Sequence, residues 1–269
     1  MLLLQIAQSI GTPRGNLPSF SELVTAGAPN WAVVLSFVGD LLWTVVYILA
    51  IRLGVKARTY AIPMVAIGLN VNWEVVHTIV HPPALFANLV ANLIWLGFDL
   101  LIVLQLIRYG RGSQRIEPVR RFFAVVIVGT LAMALAGHIT FYTHITANSI
   151  FPDKDGVVSA FVINLVMSIL FVSMYFGRPD GEGLSKPIAW LKMLGTAAIS
   201  FANVIAFETT PEVSYQVQIK RQGTAAWVDA GTIGNHTVHP GFLYFLFIAI
   251  LIFDLVYLRL LYRERGLPV

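Results

Sequence analysis

Seven apolar stretches, each close to the length that crosses a bilayer, follow one another along this chain with only short polar connections between them. They cover residues 31–51, 60–80, 88–108, 120–141, 157–177, 187–208 and 241–261. A transmembrane helix needs about 20 predominantly apolar residues, and inside hydrocarbon every backbone amide must find its partner within its own segment. The expected fold is therefore all-α and membrane-integral, one seven-transmembrane-helix bundle over residues 1–269. With 57% hydrophobic and 12% charged residues, little chain is left for a soluble domain. The apolar opening, residues 1–10, is too short to span and lacks a basic flank and a cleavage site, so we read it as interfacial or re-entrant. Cysteine is absent, which excludes disulfides, thiolate metal sites and cysteine nucleophiles.

The net charge of +4 would suggest a nucleic-acid partner were it not for where the cations fall. Fourteen of the 18 Lys and Arg residues lie in connections on one side, among them Arg52, Arg111, Arg178, Lys192 and Arg259. Read as a positive-inside signal, this places the N-terminus outside or lumenal and the C-terminus in the cytoplasm. The bilayer is then the large-scale partner, and no nucleic acid is expected.

What the bilayer should exclude is more informative than what it accepts. An ionised side chain at membrane depth costs at least ~2.5 to 3.5 kcal/mol on insertion scales. Four acids nevertheless sit inside the expected spans: Asp40, Glu74, Asp99 and Asp254. Arg108, Lys192 and Arg259 fall near span ends, where long stems can carry the charge to the surface. The four acids are thus expected to lack a cationic partner at depth, and an acid buried that way is most stable as a neutral carboxyl.

Helical spacing brings these groups onto common faces. Asn70, Trp73, Glu74, His77 and His81 form one stripe on the second span; Asn88, Asn92, Trp95 and Asp99 do so on the third, and Ser36, Asp40, Trp43, Thr44 and Tyr47 on the first. The fifth, sixth and seventh spans add Asn164, Ser168 and Phe171; Thr196, Ser200, Asn203 and Phe207; and Tyr244, Phe247 and Asp254. Interhelical hydrogen bonds, each about 0.6 kcal/mol on average, account for most of the Asn, Ser and Thr residues. A long acid such as Glu74 is a costly tie between helices. Asp40 and Asp99 read equally well as ties or as site groups, and His77 and His138 as proton relays or packing residues. Pro82 and Pro83 disfavour metal binding by His77 and His81, and Asp153 and Asp155 read as a solvated turn.

Several chemistries lack their residues. The seventh span has no lysine for a retinal Schiff base, no span carries a closely spaced acid pair for magnesium diphosphate, and no G-x-S-x-G, H-E-x-x-H or P-loop pattern occurs. No cofactor, metal or diphosphate requirement is expected. What remains is an aromatic, apolar cavity holding carboxylic acids. It suits two function classes: an enzyme that protonates an apolar substrate, or a proton-coupled small-molecule transporter. The second lacks an internal repeat, and only Pro63 interrupts a span.

The motifs Asn70-x-x-Trp73-Glu74, Trp95-x-x-x-Asp99, Asn164-x-x-x-Ser168, Gly195-Thr196 and Asp254-x-x-Tyr257, in this order and in these spans, resemble those of a known family. It comprises the seven-helix, membrane-integral terpene cyclases of fungal meroterpenoid and indole-diterpene pathways, with actinobacterial relatives that make drimane-indole compounds. The resemblance implies Glu74 and Asp254 as the two key acids. It also implies proton-initiated cyclisation of a polyprenyl chain attached to an aromatic or indole-type moiety, so the expected ligand is a prenylated small molecule. The chemistry fits the residues in its own right. A dry core lets an acid protonate an alkene or epoxide without quenching the cation. Ring faces of Trp43, Trp73, Trp95, Phe171, Phe207 and Phe247 would stabilise passing charge by roughly 0.5 to 2 kcal/mol each. Asp40, Asn70, His77, Asp99 and Asn164 complete the expected substrate-binding set.

Between the sixth and seventh spans, Val213, Tyr215, Val217 and Ile219 alternate with Ser214, Gln216, Gln218 and Lys220, the period-two pattern of a strand. Gln222, Gly223 and Thr224 supply a turn, so a β-hairpin is expected over about 213–229. Resting on the outer mouth of the bundle, it would serve as a lid or as a surface ornament.

Overall fold

A computed structural model describes residues 30–80, 82, 86–146, 156–209, 213–221, 224–233 and 240–263. The readings made for residues 1–10, His81, Asp153 and Asp155 lie outside this set, as does the side chain of Phe207.

The long helices are α1 (Asn30–Ala57), α3 (Phe86–Tyr109), α5 (Phe123–Thr140), α6 (Val157–Gly177), α7 (Lys186–Thr209) and α8 (Pro240–Tyr262). Two shorter ones are α2 (Met64–Val75) and α4 (Glu117–Arg121). Prolines set several starts. Pro63 caps α2 with extended backbone, and Pro118, Pro187 and Pro240 stand in the first turns of α4, α7 and α8. There a missing N–H costs nothing, because the first turn has no intrahelical acceptor.

Among the described residues, six helices are long and apolar enough to cross a membrane. The second expected span does not reach that length: Pro63 delays its start, leaving a shorter apolar helix over Met64–Val80. Its last turn, Val76–Val80, is wound as a π-helix. Outward faces carry large apolar side chains such as Phe37, Val125, Met133, Phe201 and Ile248, exposed as lipid contact requires.

Packing closes a ring. Helix α1 packs on α3, α3 on α2, α2 on α6, α6 on α8, α8 on α7, and α7 back on α1, while α5 lies against α2. The α1–α7 contact is made through glycines. A Cβ on Gly39 would meet the Gly195 carbonyl oxygen at 2.8 Å, and one on Gly195 would meet the Gly39 carbonyl oxygen at 3.2 Å. Without a hydrophobic driving force between helices in lipid, this close backbone approach supplies the van der Waals contact that holds them.

The connections on the basic side are tied by polar groups. Arg178 is buried, donates from Nη1 to the carbonyl oxygens of Tyr60 and Glu182 at 2.8 Å each, and lies over the Tyr60 ring. Gln114 Nε2 donates to the Tyr60 hydroxyl at 2.7 Å, and Arg115 pairs with Asp180. Arg178, read above as a topology charge alone, is thus an internal clamp.

Strands β1 (Val213–Arg221) and β2 (Thr224–Ile233) follow α7 and pair antiparallel, with a bulge between Tyr215 and Gln216 and Gln218 opposite Trp227.

Candidate active site

The ring encloses a cavity of about 190 Å³. Its wall is built from Ser36, Asp40, Trp43 and Tyr47 of α1; Asn70, Trp73 and Glu74 of α2; Ala91, Asn92 and Trp95 of α3; Val157, Ala160, Phe161, Asn164 and Met167 of α6; and Thr196, Ile199 and Asn203 of α7. Each set recurs at three- and four-residue steps, so five helices turn one stripe apiece inward. No residue of α5 or α8 is among them, as α5 lies outside the ring.

Glu74 is 3% exposed, and its Oε2 has no hydrogen-bond partner among the described residues. A buried carboxylate oxygen without a donor carries its full desolvation penalty if it is charged. Three indoles line the wall with it. Trp73 Nε1 donates to Ser159 Oγ at 3.0 Å and Trp95 Nε1 to Thr44 Oγ1 at 3.2 Å, which fixes both rings. Asn164 Nδ2 donates to Thr196 Oγ1 at 2.9 Å and Asn203 Nδ2 to the Ile199 carbonyl at 2.7 Å. The amide oxygens of both asparagines are buried without a partner among the described residues.

Gly156 places Trp73. It sits at the start of α6 with φ +70°, and a Cβ there would come within 2.6 to 2.8 Å of His77 Nε2 and Trp73 Cζ2. Only glycine combines that backbone with that approach.

Seven residues expected at the site line the cavity: Asp40, Trp43, Asn70, Trp73, Glu74, Trp95 and Asn164. Five others are elsewhere. His77 leaves the stripe because the backbone passes into the π turn one residue before it, which breaks the α-helical spacing; its ring packs on Trp73 at 4.5 Å and edge-on to Tyr142. Phe171 is in the core beside Tyr257, and Phe247 packs on Phe161, with which it shares a second apolar cluster. Asp99 lies just behind the wall: its Oδ2 accepts from Asn70 Nδ2 at 2.8 Å and from the Tyr47 hydroxyl at 3.3 Å.

The largest correction concerns Asp254. It was expected to lack a counter-charge, but Lys192 Nζ reaches its two carboxylate oxygens at 2.8 and 2.9 Å and Ser168 Oγ at 2.7 Å. All three ammonium protons are used. Lys192 is 1% exposed, and its ammonium lies 5.8 Å from the Trp43 ring centroid. The stem did not snorkel because the acid on α8 gave its charge an inward partner. The spacing held a signal: Lys192 precedes Thr196, Ser200 and Asn203 at helical steps on one stripe of α7. Phe161 was also missed, although it stands one turn before Asn164.

A profile of the Pyr4-like transmembrane terpene cyclases matches residues 29–219, most of the chain. The chain belongs to this family. Terpene cyclase esdpB of Penicillium shearii is 27% identical over 177 residues, covering 65% of this chain and 67% of that protein. Terpene cyclase macJ of Penicillium terrestre is 26% identical, covering 64% and 67%, and terpene cyclase pyr4 of Aspergillus fumigatus 23%, covering 66% and 70%. No solved structure matches the chain. It is thus a membrane-bound terpene cyclase, and the ring of apolar helices is the setting in which such an enzyme must keep water from a carbocation. The transport reading finds no support among these relatives.

Proposed function

We propose that this terpene cyclase folds and cyclises a polyprenyl chain attached to an aromatic or indole-type moiety, with Glu74 as the acid that starts the cascade. The carrying observation is the unpartnered, buried Oε2 of Glu74 on a cavity wall that also holds Trp43, Trp73 and Trp95. Glu74 transfers its proton to a terminal alkene or epoxide. The cation formed is captured by successive double bonds, stabilised by the neighbouring rings, and prefolding of the chain against the wall lowers the entropic barrier to each closure. Asn164 and Asn203, with amide oxygens lacking a protein partner, suit the polar group that carries the prenyl chain.

The test is to incubate membranes containing the chain with a farnesylated or geranylgeranylated aromatic compound, offered both as alkene and as terminal epoxide. An isomeric product of unchanged mass is expected. Uptake or efflux of the probe without an isomer would favour transport instead.

Two further elements belong to this reading. The β1–β2 hairpin acts as a lid over the outer mouth, excluding water while the cation exists. The N-terminus is outside or lumenal, so a cysteine at exposed Gly112, in the connection after α3, reacts with an impermeant thiol reagent only from the cytoplasmic side. Labelling from the opposite side overturns that orientation.

A further inference from the structure

A cyclase that adds a proton and releases an isomer must also remove one, and Glu74 as donor leaves that second step without a group. The structure points to one. Tyr47 lines the cavity, accepts from Asn70 Nδ2 and donates to Asp99 Oδ2 at 3.3 Å; the same oxygen of Asp99 accepts from Asn70 at 2.8 Å. Asp99 is 2% exposed and lines a narrow void next to the cavity, sharing Trp43, Tyr47, Asn70 and Met167 with its wall. The two acids are equally buried but differ in their hydrogen bonds. Among the described residues Glu74 Oε2 has no donor, whereas Asp99 Oδ2 has two, and donors stabilise the ionised form. Such a divergence within one site separates the acid from the base.

We propose that the Tyr47–Asp99 couple ends the cascade by taking the proton from the final carbocation. This rests on the reading of Glu74 as the initiating acid. The C–H bond beside the cationic carbon breaks and its electron pair becomes the product alkene. The proton passes to the Tyr47 oxygen as the phenolic proton moves to Asp99. Asp99 then holds a proton in place of the one that Glu74 lost, and its return makes the reaction a net isomerisation. Tyr47 is the catalytic residue of this step and Asp99 acts through it, while Asn70 holds both oxygens in place.

Tyr47→Phe and Asp99→Asn, assayed with the same farnesylated aromatic compound, separate this step from initiation. Loss of the base lowers turnover by roughly tenfold and, decisively, lowers the share of the wild-type alkene by at least about tenfold, in favour of alkene isomers and water-captured alcohols. A wild-type alkene ratio in folded Tyr47→Phe overturns the proposal even if Glu74 remains the acid. Turnover by Glu74→Gln would instead remove the initiation reading, and the Tyr47→Phe product ratio would still report on termination. Difference infrared spectra of the purified protein need no substrate. Wild type minus Asp99→Asn is expected to show a carboxylate band and wild type minus Glu74→Gln a protonated carboxyl band; a protonated Asp99 overturns the assignment.

Discussion

Glu74 and Asp254 are both acids in apolar helices and both 3% exposed, yet the protein treats them in opposite ways. Glu74 is on the cavity wall with one oxygen unpartnered; Asp254 is on α8, grasped by Lys192, itself bonded to Ser168. Burial alone therefore does not mark a proton donor. The partners differ: Glu74 Oε2 has no donor among the described residues, whereas both carboxylate oxygens of Asp254 are taken by the Lys192 ammonium. The Lys192–Asp254 pair instead joins α7 to α8 and sets a positive charge near the Trp43 ring at the cavity's edge.

The sharpest way to break this contrast is to neutralise each acid in place. Glu74→Gln keeps size and hydrogen bonding but removes the transferable proton, so turnover is expected to fall by ~10² to 10⁴-fold with little change in thermal stability. Retention of more than about a tenth of the wild-type rate would take Glu74 out of the initiating role.

On the other side, Lys192→Met leaves the Asp254 charge without its partner and is expected to destabilise the folded protein by about 3 to 5 kcal/mol, read from unfolding in detergent. Combining it with Asp254→Leu removes both charges and should restore most of that loss. A double variant no more stable than Lys192→Met would mean that the pair is not what the single change disturbs.

Gly156→Ala tests the wall between the two regions. A Cβ at φ +70°, pressed on Trp73 and His77, is expected to cost of order 1 to 3 kcal/mol and to shift the product pattern by displacing the Trp73 indole. A smaller effect on the fold is expected from replacing residues 213–229 by a Gly/Ser linker: stability stays near wild type, while water-quenched alcohols increase among the products. An unchanged product profile would leave the hairpin without a catalytic role.

Much of the site could be read in advance because helical spacing is local. Asn70, Trp73 and Glu74 fall on one face by arithmetic, as do Asp40 and Trp43, and all of them reach the same cavity. His77 shows where the arithmetic stops, since a π turn after Val75 changes the angle per residue and no side-chain pattern announces it. Phe171 and Phe247 share the amphipathic look of the cavity residues, but an aromatic stripe looks alike whether it faces a substrate or another helix.

By itself the sequence determined that this chain crosses a membrane as a helical bundle, because apolar length and backbone hydrogen bonding admit few alternatives in lipid. It also determined which few polar side chains had to be accounted for, and its motifs carried the resemblance to terpene cyclases. Only the tertiary structure decided which acids differ and how. Whether Lys192 bends to the surface or inward depends on what α8 sets opposite it, and whether Asp99 meets Tyr47 depends on how α1 and α3 pack. Partnership between residues 52 or 62 positions apart is a property of helix packing, and no local spacing records it.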